Sequence, residues 1–297
     1  MNPYSKFVGD FAKLFKEGRS LPQGNSSAPA QPAIGGDAAR VLIFSPHPDD
    51  EVIIGGLPLR LLRELKMNVV NVAVTQGSNK ARQQERWKEL SACCNYIGFG
   101  LIQTREGGLE GINLKARTSS PAEWTQAVKR IADILRREQP RIIFFPHEED
   151  WNSSHIGTHH LVIDALVQLG EDFSCSTVET EFWGAMDSPN LMIESSERDV
   201  TDLISALSFH VGEVRRNPYH LRMPAWLMDN VRRGGELVGG QGSAVPDFLF
   251  ATLYRLREWK HGAFKGVLEK GRLIGHTESL ESLFSASAKP ASTSLKF

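Results

Sequence analysis

Val41-Leu42-Ile43-Phe44-Ser45-Pro46-His47-Pro48-Asp49-Asp50-Glu51 joins a buried-strand pattern to a turn that holds one imidazole and three carboxylates. Five apolar or small residues stopped by a proline read as a central strand of a parallel sheet. Ligands of open α/β sheets sit just beyond the carboxyl ends of such strands, which places His47 and Asp50 on that rim. A neutral imidazole and a carboxylate are standard zinc ligands. A catalytic zinc takes about three protein ligands and keeps a position for water, so a further ligand is expected at the end of another strand.

That strand is Arg141-Ile142-Ile143-Phe144-Phe145, again stopped by a proline. The fifteen residues that follow, 146–160, hold four of the nine histidines. Apolar residues at Ile156, Leu161, Val162, Ala165, Leu166 and Leu169 predict a helix opening near His155, which would face the metal rim from the loop-to-helix junction. His159 and His160 are adjacent in that helix and point in different directions, so both are not expected as ligands. The ordinary alternative for the acidic turn is a solvated helix N-terminus, where carboxylates favour the dipole. The second histidine cluster weighs towards metal.

Pro46-His47-Pro48-Asp49-Asp50-Glu51 resembles the signature of the PIG-L/LmbE family of zinc-dependent N-acetylglucosaminyl deacetylases. Further segments agree in order over about residues 40–170: Thr75-Gln76-Gly77, with Gln76 in place of the usual aspartate, Arg86-Trp87-Lys88-Glu89-Leu90, and Ile97-Gly98. The resemblance implies one zinc ion held by His47, Asp50 and His155, with Asp49 as general base. Asp49 adjoins a ligand in sequence, so it can reach a water at the site without filling a coordination position. Many members carry a His-Pro-Asp-His run where this chain reads Asn152-Ser153-Ser154-His155. The family histidine near the substrate carbonyl is thereby missing or replaced by Asn152, whose amide can donate to an oxyanion but cannot act as a cationic acid.

By the same resemblance Arg86 is a substrate contact, and its alternative is a helical ion pair with Glu89 three residues on. His210 is expected to approach the substrate from a later helix. Glu51 is expected to cap the next helix or orient a ligand. The implied activity is removal of the N-acetyl or N-acyl group from an amino sugar or glycoconjugate. The alternatives are a metal-dependent hydrolase of another amide or a phosphoester, and a catalytically impaired sugar-binding protein of the same fold. A two-metal phosphoesterase would draw further ligands from His147, Glu148 or Asp150.

The chain has 297 residues, 41% hydrophobic, and a net charge of −1. It is long enough for one substantial core, and its charge gives no reason to expect nucleic acid. No run approaches the roughly 20 apolar residues of a membrane span. Cys93, Cys94 and Cys175 have no zinc or redox spacing, which favours reduced thiols and the cytoplasm. Residues 1–38 read as an amphipathic segment with Phe7, Phe11, Leu14 and Phe15 at helical spacing, then a flexible linker. That segment is expected to pack on its own domain or on a sister subunit in a homo-oligomer.

By the same resemblance, residues 39–276 are expected to form the deacetylase-like domain. The expected fold class is α/β, a Rossmann-like three-layer sandwich with a mostly parallel sheet and an elaborated C-terminal region. Strands are predicted near 41–45, 67–74, 101–103, 141–145 and 177–183, and helices near 52–65, 81–97, 121–138 and 156–169. No Gly-x-Gly-x-x-Gly follows the first strand, so no dinucleotide is expected. Ser120-Pro121-Ala122-Glu123 combines a cap, a first-turn proline and a capping-box glutamate. Residues 184–276 read as a lid or substrate region, with helices near 200–211 and 247–259, and Arg215 to Gly242 as the lid itself. Residues 277–297 are expected to be a disordered tail.

Overall fold

The computed structural model describes residues 2–284. The strands are β1 (Arg40–Ser45), β2 (Asn68–Ala73), β3 (Gly100–Gln103), β4 (Ile142–Pro146), β5 (Cys175–Thr180), β6 (Leu191–Glu194), β7 (Ala251–Lys260), β8 (Ala263–Gly266) and β9 (Arg272–Ile274). The helices are α1 (Tyr4–Gly18), α2 (Asp50–Ile53), α3 (Gly56–Arg63), α4 (Gln83–Ile97), α5 (Ala116–Ser119), α6 (Pro121–Glu138), α7 (Ser153–Leu169), α8 (Glu197–Leu207), α9 (Val211–Arg216), α10 (Met223–Leu237) and α11 (Glu281–Phe284).

One sheet runs in the order β3-β2-β1-β4-β5-β7-β6-β9, with β8 also paired to β7. β1 lies between β2 and β4 and is parallel to both. Its side chains alternate between two cores, as the pleat requires. Val41 and Ile43 join Leu61, Leu90 and Leu203 of α3, α4 and α8 on one face. Leu42 and Phe44 join Ile131, Leu135, Leu161 and Leu166 of α6 and α7 on the other. Helices thus cover both faces of a mostly parallel sheet, the expected three-layer α/β arrangement. The chain crosses from β1 to β2 on one side and returns from β3 to β4 on the other, so the switch point lies between β1 and β4.

Three expectations need correction. The segment 247–259 is not a helix: Ala251–Lys260 is β7, antiparallel to β5 and β6. Its Leu, Arg, Ala and Glu are good helix formers, but position in the sheet overrides propensity. Thr252, Tyr254 and Leu256 are buried on one face and Leu253 and Trp259 on the other. The helix expected over 52–65 breaks into α2 and α3 at Gly55, whose φ is 83°. A Cβ there would collide with the Thr252 side chain of β7. Ser120 stands at the N-cap of α6 with Pro121 in the first turn, yet its hydroxyl makes no capping bond.

Much of 184–276 completes the sheet and core, as the buried Leu191, Ile193, Leu253 and Tyr254 attest. Within the expected tail, Leu280 and Phe284 are buried, and 285–297 lie outside the described residues. α1 buries none of its residues. Phe7, Phe11 and Leu14 stay exposed, and the helix touches the rest of the chain at its C-terminal end, where Arg222 stacks over Phe15 at 5.0 Å. The linker lies against the domain: the Gln31 amide donates to Tyr96 O at 3.0 Å. No helix among the described residues is long and apolar enough to cross a membrane.

Candidate metal centre

The turn after β1 and the start of α7 bring His47, Asp50 and His155 together at the switch point. α7 is set in place by its neighbours. The Trp124 indole of α6 donates to Asp164 Oδ2 at 2.8 Å, and Gly157 lets the first turn approach within a Cβ-excluding distance of the Asn113 backbone. The turn after β1 is braced by the Thr75 hydroxyl, which donates to Pro46 O at 2.7 Å.

His47 Nδ1, Asp50 Oδ2 and His155 Nε2 form a triangle with edges of 3.2, 3.3 and 3.4 Å. Ligand atoms about 2.1 Å from a tetrahedral ion stand ~3.4 Å apart, so this triangle has the size a zinc-like ion requires. Burial raises the Asp50 carboxyl, but His155 and then His47 outweigh it and hold it well below the usual range. Burial lowers His155, and Asp50 followed by Asp150 outweigh that and raise it to about 10. Two acids around a buried imidazole favour positive charge at this point. Donor types, spacing and field all fit a divalent cation.

Behind the trio, Asp150 Oδ1 lies 3.5 Å from His155 Nδ1, while Asp150 Oδ2 accepts from the backbone N–H of Trp183 and of Gly184, each at 3.2 Å. A carboxylate behind a ligating imidazole fixes its ring and tautomer. The sequence offers Asp150 only as an extra ligand, and the structure places it behind one. His147 and Glu148, its companions in that reading, are engaged elsewhere. His147 Nε2 donates to Gly184 O at 2.9 Å and its Nδ1 accepts from Glu149 N; Glu148 pairs with Arg255. Glu148, His159 and Glu179 also cluster, but Arg255 and Arg257 neutralise Glu179.

Asp49 stands beside the trio in a left-handed conformation, φ 110°, of a kind that costs about 1–3 kcal/mol and persists where surroundings enforce it. Glu51 does the enforcing: its Oε2 accepts from Asp49 N at 2.9 Å and its Oε1 meets His210 Nε2 at 2.6 Å. Burial and then the Asp50 charge push the Asp49 carboxyl up to about 7, against His210, Arg86 and Tyr219. The Tyr219 hydroxyl donates to Asp49 Oδ2 at 2.6 Å. Burial and Asp49 raise Tyr219 far above its ordinary value, so it remains a donor.

The remaining expected site residues are placed as follows. Arg86 Nη2 donates to Pro48 O at 2.8 Å and lies 3.8 Å from Asp49 Oδ2. It does not pair with Glu89, whose Oε1 accepts from Gly212 N. His210 is fully buried against Glu51 and touches the turn through that carboxylate. Asn152 caps α7, its Oδ1 accepting from Ser154 N at 2.8 Å. Tyr219 was legible only as one aromatic in a long candidate lid, and nothing local to it announces Asp49 as its partner.

Two cavities with no lining residue in common adjoin the cluster. A polar one of about 320 Å³ is lined by His47, Thr75, Lys80, Gln83, Glu110 and Asn113 among others. A largely apolar one of about 280 Å³ is lined by Phe182, Trp183, Tyr219 and Trp226 among others.

Comparison with known proteins agrees with this geometry. No curated protein sequence matches the chain. Among solved structures, the fold is similar to N,N'-diacetylchitobiose deacetylase from Pyrococcus horikoshii, at 18% identity and a TM-score of 0.52, over 86% of this chain and 93% of that one. It is similar to GalB, the 4-carboxy-2-hydroxymuconate hydratase from Pseudomonas putida KT2440, at 17% identity and a TM-score of 0.55, over 78% and 99%. A zinc-inhibited form of teicoplanin deacetylase Orf2 is similar at 14% identity and a TM-score of 0.50, over 77% and 100%. At such identities the likeness is one of fold, and a hydratase among the neighbours means that fold alone does not set the reaction. Residues 42–166 match the family model PIG-L, described as GlcNAc-PI de-N-acetylase. That span, similar to the PIG-L family, supplies His47, Asp50 and His155.

Proposed function

We propose that this protein is a metal-dependent hydrolase that removes the N-acyl group from an amino sugar or glycoconjugate. The observation that carries the reading is a three-ligand cluster with a second carboxylate, Asp49, beside it and outside it. A bound divalent ion, zinc in the first instance, would supply Lewis acidity, lowering the pKa of water towards about 7 and polarising the amide carbonyl.

The chain's own residues do the rest. Asp49, beside the trio and outside it, is placed to take a proton from water and return it. Tyr219, Arg86 and the Glu51–His210 pair hold Asp49 in place. Asn152 spends its amide oxygen on the α7 cap, which leaves its amide NH₂ as the donor for the developing oxyanion. Water oxygen bonds to the acyl carbon, the C–N bond breaks, and the water protons end on nitrogen. The products are a carboxylate and an ammonium ion, the protonated amine. The polar cavity beside His47 suits sugar hydroxyls, with Lys80, Gln83, Glu110 and Asn113 as partners, and Arg86, packed behind the lining residue Gly77, is the proposed substrate contact. The family description of a GlcNAc-containing substrate supports an amino sugar.

The extra ligands of a two-metal phosphoesterase do not join the trio. Buried, unpaired Cys93, Cys94 and Cys175 support a reducing compartment, hence the cytoplasm. The test is acid and amine release from N-acyl glucosamine derivatives by zinc-loaded wild type and Asp49→Asn, with bound metal measured in both. Release that is lost in a metal-retaining variant supports the reading; protein that binds no divalent ion sinks it.

A further inference from the structure

The apolar cavity stands against the reacting groups, not apart from them. Its wall residue Tyr219 bonds to Asp49, and its wall residue Phe182 lies edge-on to His155 with ring centroids 4.7 Å apart. Ile53 of α2, one turn after Asp50, completes that side. Leu207, Met223 and Trp226 close the far side. Ile53, Phe182, Leu207 and Met223 are buried, so part of the lining belongs to the core, while Trp183 and Arg222 are exposed and open it to solvent.

The cavity has few groups to offer a sugar. The Tyr219 hydroxyl is committed to Asp49, and Arg222 is an exposed residue that stacks on Phe15 of α1. A sugar placed there would leave hydroxyls without partners, each a desolvation penalty. Hydrocarbon would not. A volume of about 280 Å³ also far exceeds what the single methyl of an acetyl group can fill. The polar cavity on the His47 side is available for the sugar, so the scissile amide would lie between a hydroxyl-binding and a hydrocarbon-binding chamber.

Resting on the deacylase reading above, we infer that the apolar cavity is an acyl subsite and that the protein favours N-acyl groups longer than acetyl. Its substrate class is then an amino sugar carrying a medium-length aliphatic N-acyl chain. The lining residue Arg222 stacks on Phe15 of α1, which brings the end of that helix beside the cavity.

The experiment uses the full-length zinc-loaded protein and glucosamines carrying N-acetyl, N-butyryl, N-hexanoyl and N-octanoyl groups. Amine release gives kcat/KM for each. In parallel, the matching free carboxylates are titrated against the fluorescence of the cavity tryptophans, Trp183 and Trp226. kcat/KM is expected to rise by about fourfold for each methylene buried, until the chamber is filled. Trp226→Ala, at a half-buried position outside the reacting groups, is expected to flatten that rise, lowering kcat/KM for the hexanoyl and octanoyl sugars more than for the acetyl one. Hydrolysis of the acetyl sugar with no gain on lengthening the chain overturns the inference and leaves the deacylase reading standing. No hydrolysis of any member, with carboxylate binding that tightens with length, defeats the deacylase reading and keeps the hydrocarbon subsite. Flat binding without hydrolysis defeats both.

Discussion

The Tyr219 hydroxyl donates to Asp49 Oδ2 at 2.6 Å, joining residues 170 positions apart in the chain. It stands between a short 3₁₀ turn, Tyr219–Arg222, and the carboxylate proposed to carry the proton. A hydrogen bond to a charged group contributes about 1.5–3 kcal/mol. Tyr219→Phe is therefore expected to lower kcat by about ten- to a hundredfold with bound metal unchanged. Steady-state kinetics with metal analysis checks this; an unaltered kcat would mean that Arg86 and Glu51 position Asp49 unaided.

Removing the base itself should be more severe. Asp49→Asn keeps the shape of the turn and its backbone bond to Glu51, and loss of general-base action costs about 10²- to 10⁴-fold. Single-turnover rates separate this from a binding defect, because KM should change little. Retention of a tenth or more of the wild-type rate would remove Asp49 from its assigned role.

Asp150 holds His155 from behind, and partners of this kind typically account for about 10- to 100-fold in metal affinity. Asp150→Asn should weaken zinc binding by that factor without abolishing it, whereas His155→Ala should abolish tight binding. Competition with a chromophoric chelator reads both. Equal affinities for Asp150→Asn and wild type would reduce Asp150 to a loop brace for Trp183 and Gly184.

Glu148 pairs with Arg255, outside the trio, and supplies a pH-dependent contribution to stability. Burial raises its carboxyl, and its own backbone N–H and then Arg255 outweigh that, holding it at about 2 against an ordinary 4.5. Folded protein then binds fewer protons here than unfolded protein does. Its contribution is full above about 4.5 and is lost as pH falls through about 2. Glu148→Gln should flatten the acid limb of Tm against pH across that window and change little near neutrality. Parallel acid limbs in variant and wild type would show that the pair adds nothing.

Burial raises all three thiols, Cys93 and Cys94 well above the ordinary value and Cys175 to about 12. A thiolate is the reactive form. A disulfide reagent should accordingly label none of the three in folded protein and all three in denaturant. Rapid labelling of native protein would contradict their placement in the core.

The parallel half of the sheet was legible because its strands are buried on both faces and read as short apolar runs stopped by prolines or polar turns. β1 and β4 fall within a residue of the expected ranges, and α6 has the expected bounds. β7 was not legible. Its composition is that of a helix, and it is a strand because β5 and β6 flank it with unpaired backbone edges that must be satisfied.

The clustering of the candidate metal trio was likewise readable in the chain, since two of its members share one short turn and the third follows a second proline-stopped strand. Ligand identity is a matter of residue type and of strand-end position, and both are local. The partners of those residues are not local. Asp49 meets Tyr219, Glu51 meets His210, and His155 is backed by an aspartate five residues earlier in its own loop. The Asp49 and Glu51 pairings exist because α9 and the turn after it pack over the switch point, a consequence of tertiary burial that leaves no periodic trace in sequence. The same packing encloses the apolar chamber, whose walls come from four separate parts of the chain, so neither its volume nor its position beside Asp49 could follow from any one of them.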